Sequence, residues 1–405
     1  MTTPRTAPQP PAPHLPPALS ATATALREAA PVAAVWAATR LGMLALLLVD
    51  HLGDSGVAGE VHHLYQGWYG QLVHGSFPLG DATWQYPPGA AVVFLSPAAL
   101  PWLTYFQAFV ALVLVADALV TLVLVRAGRA GAWLWVCGLP LLLNLPLARY
   151  DVPVTAVAVI ALLAQRGRPH LAGALAGIGA MIKVWPLLTV VGAPRGRTTL
   201  TVWGSAAASA GILLGVLLTG FAHPLDFLRQ QSERGVQIES LGGTALLLAR
   251  SWGWPGETVF QYGAFELTGP YVTGVTRLSL ALSLGALCWL VLWRIGARRW
   301  TPAVPYDAAL TAVLLFTVTS RVISPQYLIW LLGLAAVCLT SRHTVLRPVA
   351  LLMVPAAALS ALVFPLMYDE VVAGTPLGCT LMVLRNGLLL VATVLACRRL
   401  WAATA

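Results

Sequence analysis

Leu171–Val191 reads LAGALAGIGAMIKVWPLLTVV, 21 residues with a single charge, Lys183, just ahead of Trp185 and Pro186. About 20 such residues cross the hydrocarbon of a bilayer. The interruption matters as much as the length. Pro186 lacks the N–H that would continue the helical ladder, so Lys183-Val184-Trp185-Pro186 is expected to break the helix and let the chain cross and return as two short spans. The rest of the chain is of the same kind. Of 405 residues 58% are apolar and 10% charged, with a mean hydropathy of +0.77, against about 45–50% and 25% in soluble domains. The fold class is therefore an all-α polytopic transmembrane bundle, because backbone in lipid must satisfy its own hydrogen bonds. A soluble enzyme, a coiled coil and a disordered chain are excluded.

Residues 1–30, rich in Pro, Ala and Thr, read as a disordered cytoplasmic tail, and 31–400 as the membrane domain, opened by an uncleaved span over Val32–Asp50. The excess of 24 basic over 15 acidic residues records topology and not a nucleic-acid partner. Arg126 and Arg129, Arg166 and Arg168, Arg195 and Arg197, Arg294 with Arg298 and Arg299, Arg342 and Arg347, and Arg398 with Arg399 all fall between apolar runs. Basic short loops mark the cytoplasmic side. With those inside, 12 of the 15 carboxylates fall outside, Asp50, Asp54, Asp226, Glu233, Glu257, Asp369 and Glu370 among them. Parity then gives about twelve crossings with both termini cytoplasmic. Residues 88–101, 14 in all, are too short to cross and read as a re-entrant helix.

Two external segments, 51–87 and 221–271, exceed mere connectors. In the first, Leu64, Trp68 and Leu72 recur at helical spacing beside Tyr65 and Tyr69, a stripe expected to lie in the bilayer interface. Gly75 and Pro78 should stop that helix. The five cysteines sit in apolar runs without paired spacing, and the histidines form no HExxH or triad pattern, so neither a disulfide framework nor metal catalysis is suggested.

The candidate chemistry lies on the external side. Glu60 stands at a helix start, where the dipole favours a carboxylate, and is placed as a general base; an ordinary solvated helix-start acid is the plainer reading. Asp81, before Trp84-Gln85-Tyr86-Pro87-Pro88, reads as a second acid or, better, a cap. Asp50 and Asp54 terminate the first span. Asp151, in Arg149-Tyr150-Asp151, serves substrate binding or a local pair with Arg149. Lys183 is the only lysine of the chain; an ammonium at a helix break in an apolar setting suggests a point charge for a phosphate, with a snorkelling side chain as the alternative. Arg321 is a second external cation at a break. Arg385-Asn386, inside the last span, should face the bundle interior or a water-filled cavity.

These strings form an ordered set. Tyr65-Gln66-Gly67-Trp68, Gly75, Pro78, Asp81 and Trp84-Gln85-Tyr86-Pro87-Pro88 resemble the first external loop of bacterial GT-C glycosyltransferases of the family 87 type, as found in actinobacteria. Arg149-Tyr150-Asp151, the Gly-rich helix ending in Lys183-Val184-Trp185-Pro186, Arg234-Gly235-Val236-Gln237-Ile238-Glu239-Ser240 and Ile323-Ser324-Pro325-Gln326-Tyr327 follow in the family's order. The resemblance implies a GT-C fold and an inverting transfer of a sugar, usually mannose, from a polyprenyl-phosphate carrier to a lipid or glycan hydroxyl on the outer face of the bacterial plasma membrane, without a cofactor. The family's acid before the loop-1 tyrosine, usually Asp, corresponds to Glu60, the implied catalytic base. Lys183, Arg321, Asp81, Tyr65, Tyr86, Asp151, Arg149, Gln326, Tyr327 and Glu239 are the implied donor-phosphate and substrate-binding residues. Gln326 and Tyr327 stand where mannosyltransferase branches often carry His. The rival readings are a twelve-helix transporter or lipid flippase, which Asp117, Asp307 and Arg385 inside spans would serve, and a homologue that binds polyprenyl lipid without turnover.

Overall fold

The computed structural model describes residues 17–50 and 56–405. The expected disorder of residues 1–16 and the role of Asp54 lie outside the described residues. Helix α1 (Pro17–Val49) starts within the stretch read as tail; Pro suits a first helical position and the Ala- and Leu-rich residues after it favour helix.

The segment read as the first external loop forms a folded cap over residues 56–87. A π-helical turn over Glu60–Tyr65 runs into α2 (Gln66–Leu72), and Gly75 takes a positive φ after it. The aromatic stripe differs from expectation. Tyr65, Trp68 and Leu72 are buried, packed with Trp84, Phe94 and Tyr150, so the stripe faces protein and not the bilayer interface; five large rings bury more area against one another than a membrane surface would offer. The segment expected to be re-entrant holds α3 (Ala90–Leu95) and a 3-10 turn, Ser96–Ala99.

Next come α4 (Tyr105–Ala127), opened by a capping box of Thr104 and Gln107, then α5 (Arg129–Gly138), α6 (Asp151–Ala164) and α7 (Pro169–Ile182). The break after α7 falls where Pro186 demands it. The return leg is a six-residue 3-10 turn, Trp185–Val190, and not a second span. Helix α8 (Arg197–Gly220) packs on α7: a Cβ on Gly173 or Gly177 would overlap the carbonyls of Val202 and Ala206, a small-residue seam of the membrane-helix kind.

The segment read as the second external loop holds α9 (Phe227–Glu233), α10 (Leu241–Arg250) and a small antiparallel sheet the sequence reading did not contain. Strands β1 (Val236–Gln237), β2 (Glu257–Gln261) and β3 (Ala264–Thr268) lie in the order β1-β3-β2, with Phe260 opposite Phe265. Tyr262 and Gly263, both at positive φ, make the two-residue turn. The bundle closes with α11 (Val272–Gly296), α12 (Val304–Thr319), α13 (Tyr327–Leu339), α14 (Arg347–Ala361), α15 (Tyr368–Ala373) and α16 (Pro376–Thr404).

The chain is 72% helical and is an all-α polytopic membrane protein. Among the described residues six helices are long and apolar enough to cross alone, and shorter apolar helices, α6, α7, α12 and α13 among them, fill the interior. Those four all end at one level. Asp151 opens α6, Lys183 follows α7, Arg321 follows α12 and Tyr327 opens α13; a cavity takes the length they lack.

Candidate active site

The cavity is about 480 Å³. Its floor is the broken ends of the short helices, with Lys183, Trp185, Gln326 and Trp330. Its roof comes from the two long segments between the helices: Thr83–Pro87, α9 with Arg234, and the hairpin turn Tyr262-Gly263.

Glu60 reaches the wall with its side chain 27% exposed. Arg149 donates to its Oε2 at 2.8 Å and the Tyr65 hydroxyl to its Oε1 at 3.0 Å, so the carboxylate is aimed by two buried groups. Burial pulls the Arg149 guanidinium toward losing its proton, but Glu60, Tyr65 and Asp151 outweigh it and raise its pKa. Burial, reinforced by Glu60, also pushes the Tyr65 and Tyr86 hydroxyls far above the usual phenol value. They are hydrogen-bond donors and not bases.

Lys183 donates to Asp151 Oδ1 at 2.6 Å, which also accepts from the Trp330 indole at 2.6 Å. The ammonium sits 4.5 Å from the Tyr150 ring centroid and 4.8 Å from that of Trp330, a cation–π enclosure. Burial lowers the Lys183 pKa while Asp151 opposes the shift. Two more cations face it. Arg234 is oriented by Glu266 at 2.9 Å and by the Gln85 side chain at 2.6 Å. Arg321 donates to the Gln231 carbonyl, and burial together with Arg234 lowers its pKa. Such crowding of positive charge favours an anion.

Of the residues named from sequence, Glu60, Lys183, Arg321, Tyr86, Gln326 and Tyr327 line the cavity. Tyr65, Arg149 and Asp151 stand behind, each hydrogen-bonded to a lining residue. Asp151 pairs with Lys183, not with its sequence neighbour Arg149, because α6 and the broken end of α7 meet there. Two others do not reach the cavity. Asp81 accepts from the Trp68 indole at 2.9 Å and from the Thr83 N–H at 2.8 Å, the cap geometry its sequence context favours. Glu239 is buried against Arg385 at 2.6 Å and acts at a distance: it accepts from Gln237, whose side chain accepts from the Ile323 N–H and whose N–H bonds the Arg321 carbonyl. Asp50, at the end of α1, accepts from Val57 and Ala58 and holds the start of the cap.

Sequence reasoning missed Arg234, Gln85 and Trp330. Arg234 could have been found as the charge opening the polar string Arg234–Ser240 in a long segment between apolar runs; nothing marks Trp330 within an apolar run.

Comparison with known proteins agrees with this arrangement. No curated protein matches the chain. A family match covers residues 84–325, more than half of the chain, and takes in Tyr86, Lys183, Arg234 and Arg321 while leaving Glu60 outside its first residue. The described family is glycosyltransferase family 87. With a carboxylate and three cations gathered at the broken ends of membrane helices, and that match across the segments that bring the cations there, the chain belongs to glycosyltransferase family 87 and is a membrane glycosyltransferase.

Proposed function

We propose that the cavity transfers a sugar, mannose in the reading the sequence favours, from a polyprenyl-phosphate carrier to a hydroxyl of a lipid or glycan acceptor, with inversion, on the outer face of a bacterial plasma membrane. One observation carries this reading: Glu60 and the cations Lys183, Arg234 and Arg321 line the same cavity.

The acceptor oxygen attacks the anomeric carbon, the bond from that carbon to the phosphate oxygen breaks, and the hydroxyl proton passes to Glu60. Polyprenyl phosphate leaves carrying the charge released. Lys183, Arg234 and Arg321 offset that charge as it grows, the electrostatic contribution that outweighs others in such transfers. Arg149 and Tyr65 hold Glu60 in position. The charges inside spans that would serve a transporter are engaged elsewhere: Asp117 with Arg40, Trp36 and Trp135, Asp307 with Thr344 and Val345, and Arg385 with Glu239.

Radiolabelled polyprenyl-phosphate-mannose, purified protein and a membrane lipid extract test the scheme. Glu60→Gln should transfer sugar about 10²–10⁴-fold more slowly than the parent, with donor binding retained. Undiminished transfer by the Gln variant removes Glu60 from its role; absence of transfer by the parent with mannose and other donor sugars removes the polyprenyl-phosphate reading.

A further inference from the structure

A second opening, about 730 Å³, lies at the other end of the bundle. Arg126, Arg166, Arg342 and His343 line it, over an apolar wall of Val123, Leu163 and Tyr306. The three arginines arrive there along three helices that start near the active site: α4 begins at Tyr105, whose ring meets Tyr69 of the cap at a tilt, α6 at Asp151, and α13 at Tyr327. At about 1.5 Å per residue those helices place the arginines roughly 20–34 Å from the cavity level.

No carboxylate is among the lining residues. Among the described residues the side chains of Arg126, Arg166 and Arg342 have no hydrogen-bond or ion-pair partner. Asp307, next to Tyr306, turns its carboxylate to Thr344 and the Val345 N–H instead. A cation at a helix C-terminus is favourable by itself, and each of the three arginines is solvent-exposed at or just beyond the end of its own helix; what the helix ends alone do not supply is the gathering of all three on one wall with no counter-charge. Three guanidinium groups on one wall attract an anion, and the planar guanidinium fork suits a phosphate.

A further feature says what carries that phosphate. Val115, Leu119 and Leu122 are exposed on α4, at eleven, seven and four residues before Arg126, so that all four share one helix face. An apolar outward stripe ending in an arginine fits acyl chains below a headgroup, as basic pockets between membrane helices do generally.

We propose that this pocket binds the phosphate of an anionic glycerophospholipid, at a site separate from the glycosyl-transfer cavity. The full-length protein in neutral detergent, titrated with phosphatidylglycerol and read by native mass spectrometry and by melting temperature, should bind it and melt higher. Phosphatidylcholine should do neither. R126Q/R166Q/R342Q should bind phosphatidylglycerol at least about tenfold more weakly, since one lost charge-assisted contact already weakens binding about tenfold. Should the triple variant fail to fold, R166Q alone carries the test with a loss of about tenfold. Equal binding by parent and variant, or equal response to the two lipids, overturns the proposal. A full melting shift from inorganic phosphate alone overturns its lipid part and assigns the site to a soluble phosphate.

Discussion

Lys183 shows what a single buried charge demands of its surroundings. Its ammonium pKa is lowered by burial and held up by Asp151. Phosphate binding needs the protonated form, so transfer is present below that pKa and fades as pH rises through it, earlier than an unperturbed lysine would allow. Asp151→Asn removes the opposing charge; the alkaline limb of the rate–pH profile should move to lower pH, which transfer assays across the alkaline range would read. An unmoved limb would detach Lys183 from the donor phosphate. The sequence made Glu60, Lys183 and Arg321 visible because each is a charge at a helix start or break within an apolar chain. It left their partners hidden: Lys183 meets an aspartate 32 residues away, and only packing decides that Arg149 turns to Glu60.

Elements transmit what residues cannot reach. Glu239 was marked by its place in a polar string, and its work is to tie the second external segment to α16 and, through Gln237, to the turn bearing Arg321. Breaking a buried pair leaves an uncompensated charge, at a cost of about 3–5 kcal/mol. Glu239→Ala should therefore melt well below the parent, whereas replacing Glu239 and Arg385 together by Met should recover much of the loss; a double variant no more stable than Glu239→Ala would contradict the pairing. At the seam of α7 and α8, Gly177→Val must push the Ala206 carbonyl aside. Overpacking of that kind costs about 1–3 kcal/mol, read as a lower melting temperature, and it acts next to the break that carries Lys183. The helical membrane class and the break at Pro186 were legible from hydropathy and proline, while the second short span expected after the break is a 3-10 turn. The little sheet was not, because strands of two and five residues leave almost no periodic signal.

The whole molecule is polar along its long axis. Most of the carboxylates and the three site cations gather at one end and the short basic loops at the other, with Asp307 and Asp117 as exceptions engaged by Thr344 and Arg40, the bias expected of a chain that crosses a bilayer. Single cysteines at positions 60 and 197 should report opposite faces when labelled with an impermeant reagent on intact cells; labelling from the same face would invert the assignment of the cavity to the outer surface.

The segment roofing the cavity hangs between α8 and α11, 24 and 25 residues long with only 17% of their central stretch covered by protein. Both exceed the roughly 30 Å hydrocarbon core of an average bilayer, so the thickness of the surrounding membrane governs how far they lean. The roof rides on them. Sugar transfer should thus vary with acyl-chain length in reconstituted vesicles, and a cell could retune the enzyme by remodelling its fatty acids, with no change at any residue that touches substrate.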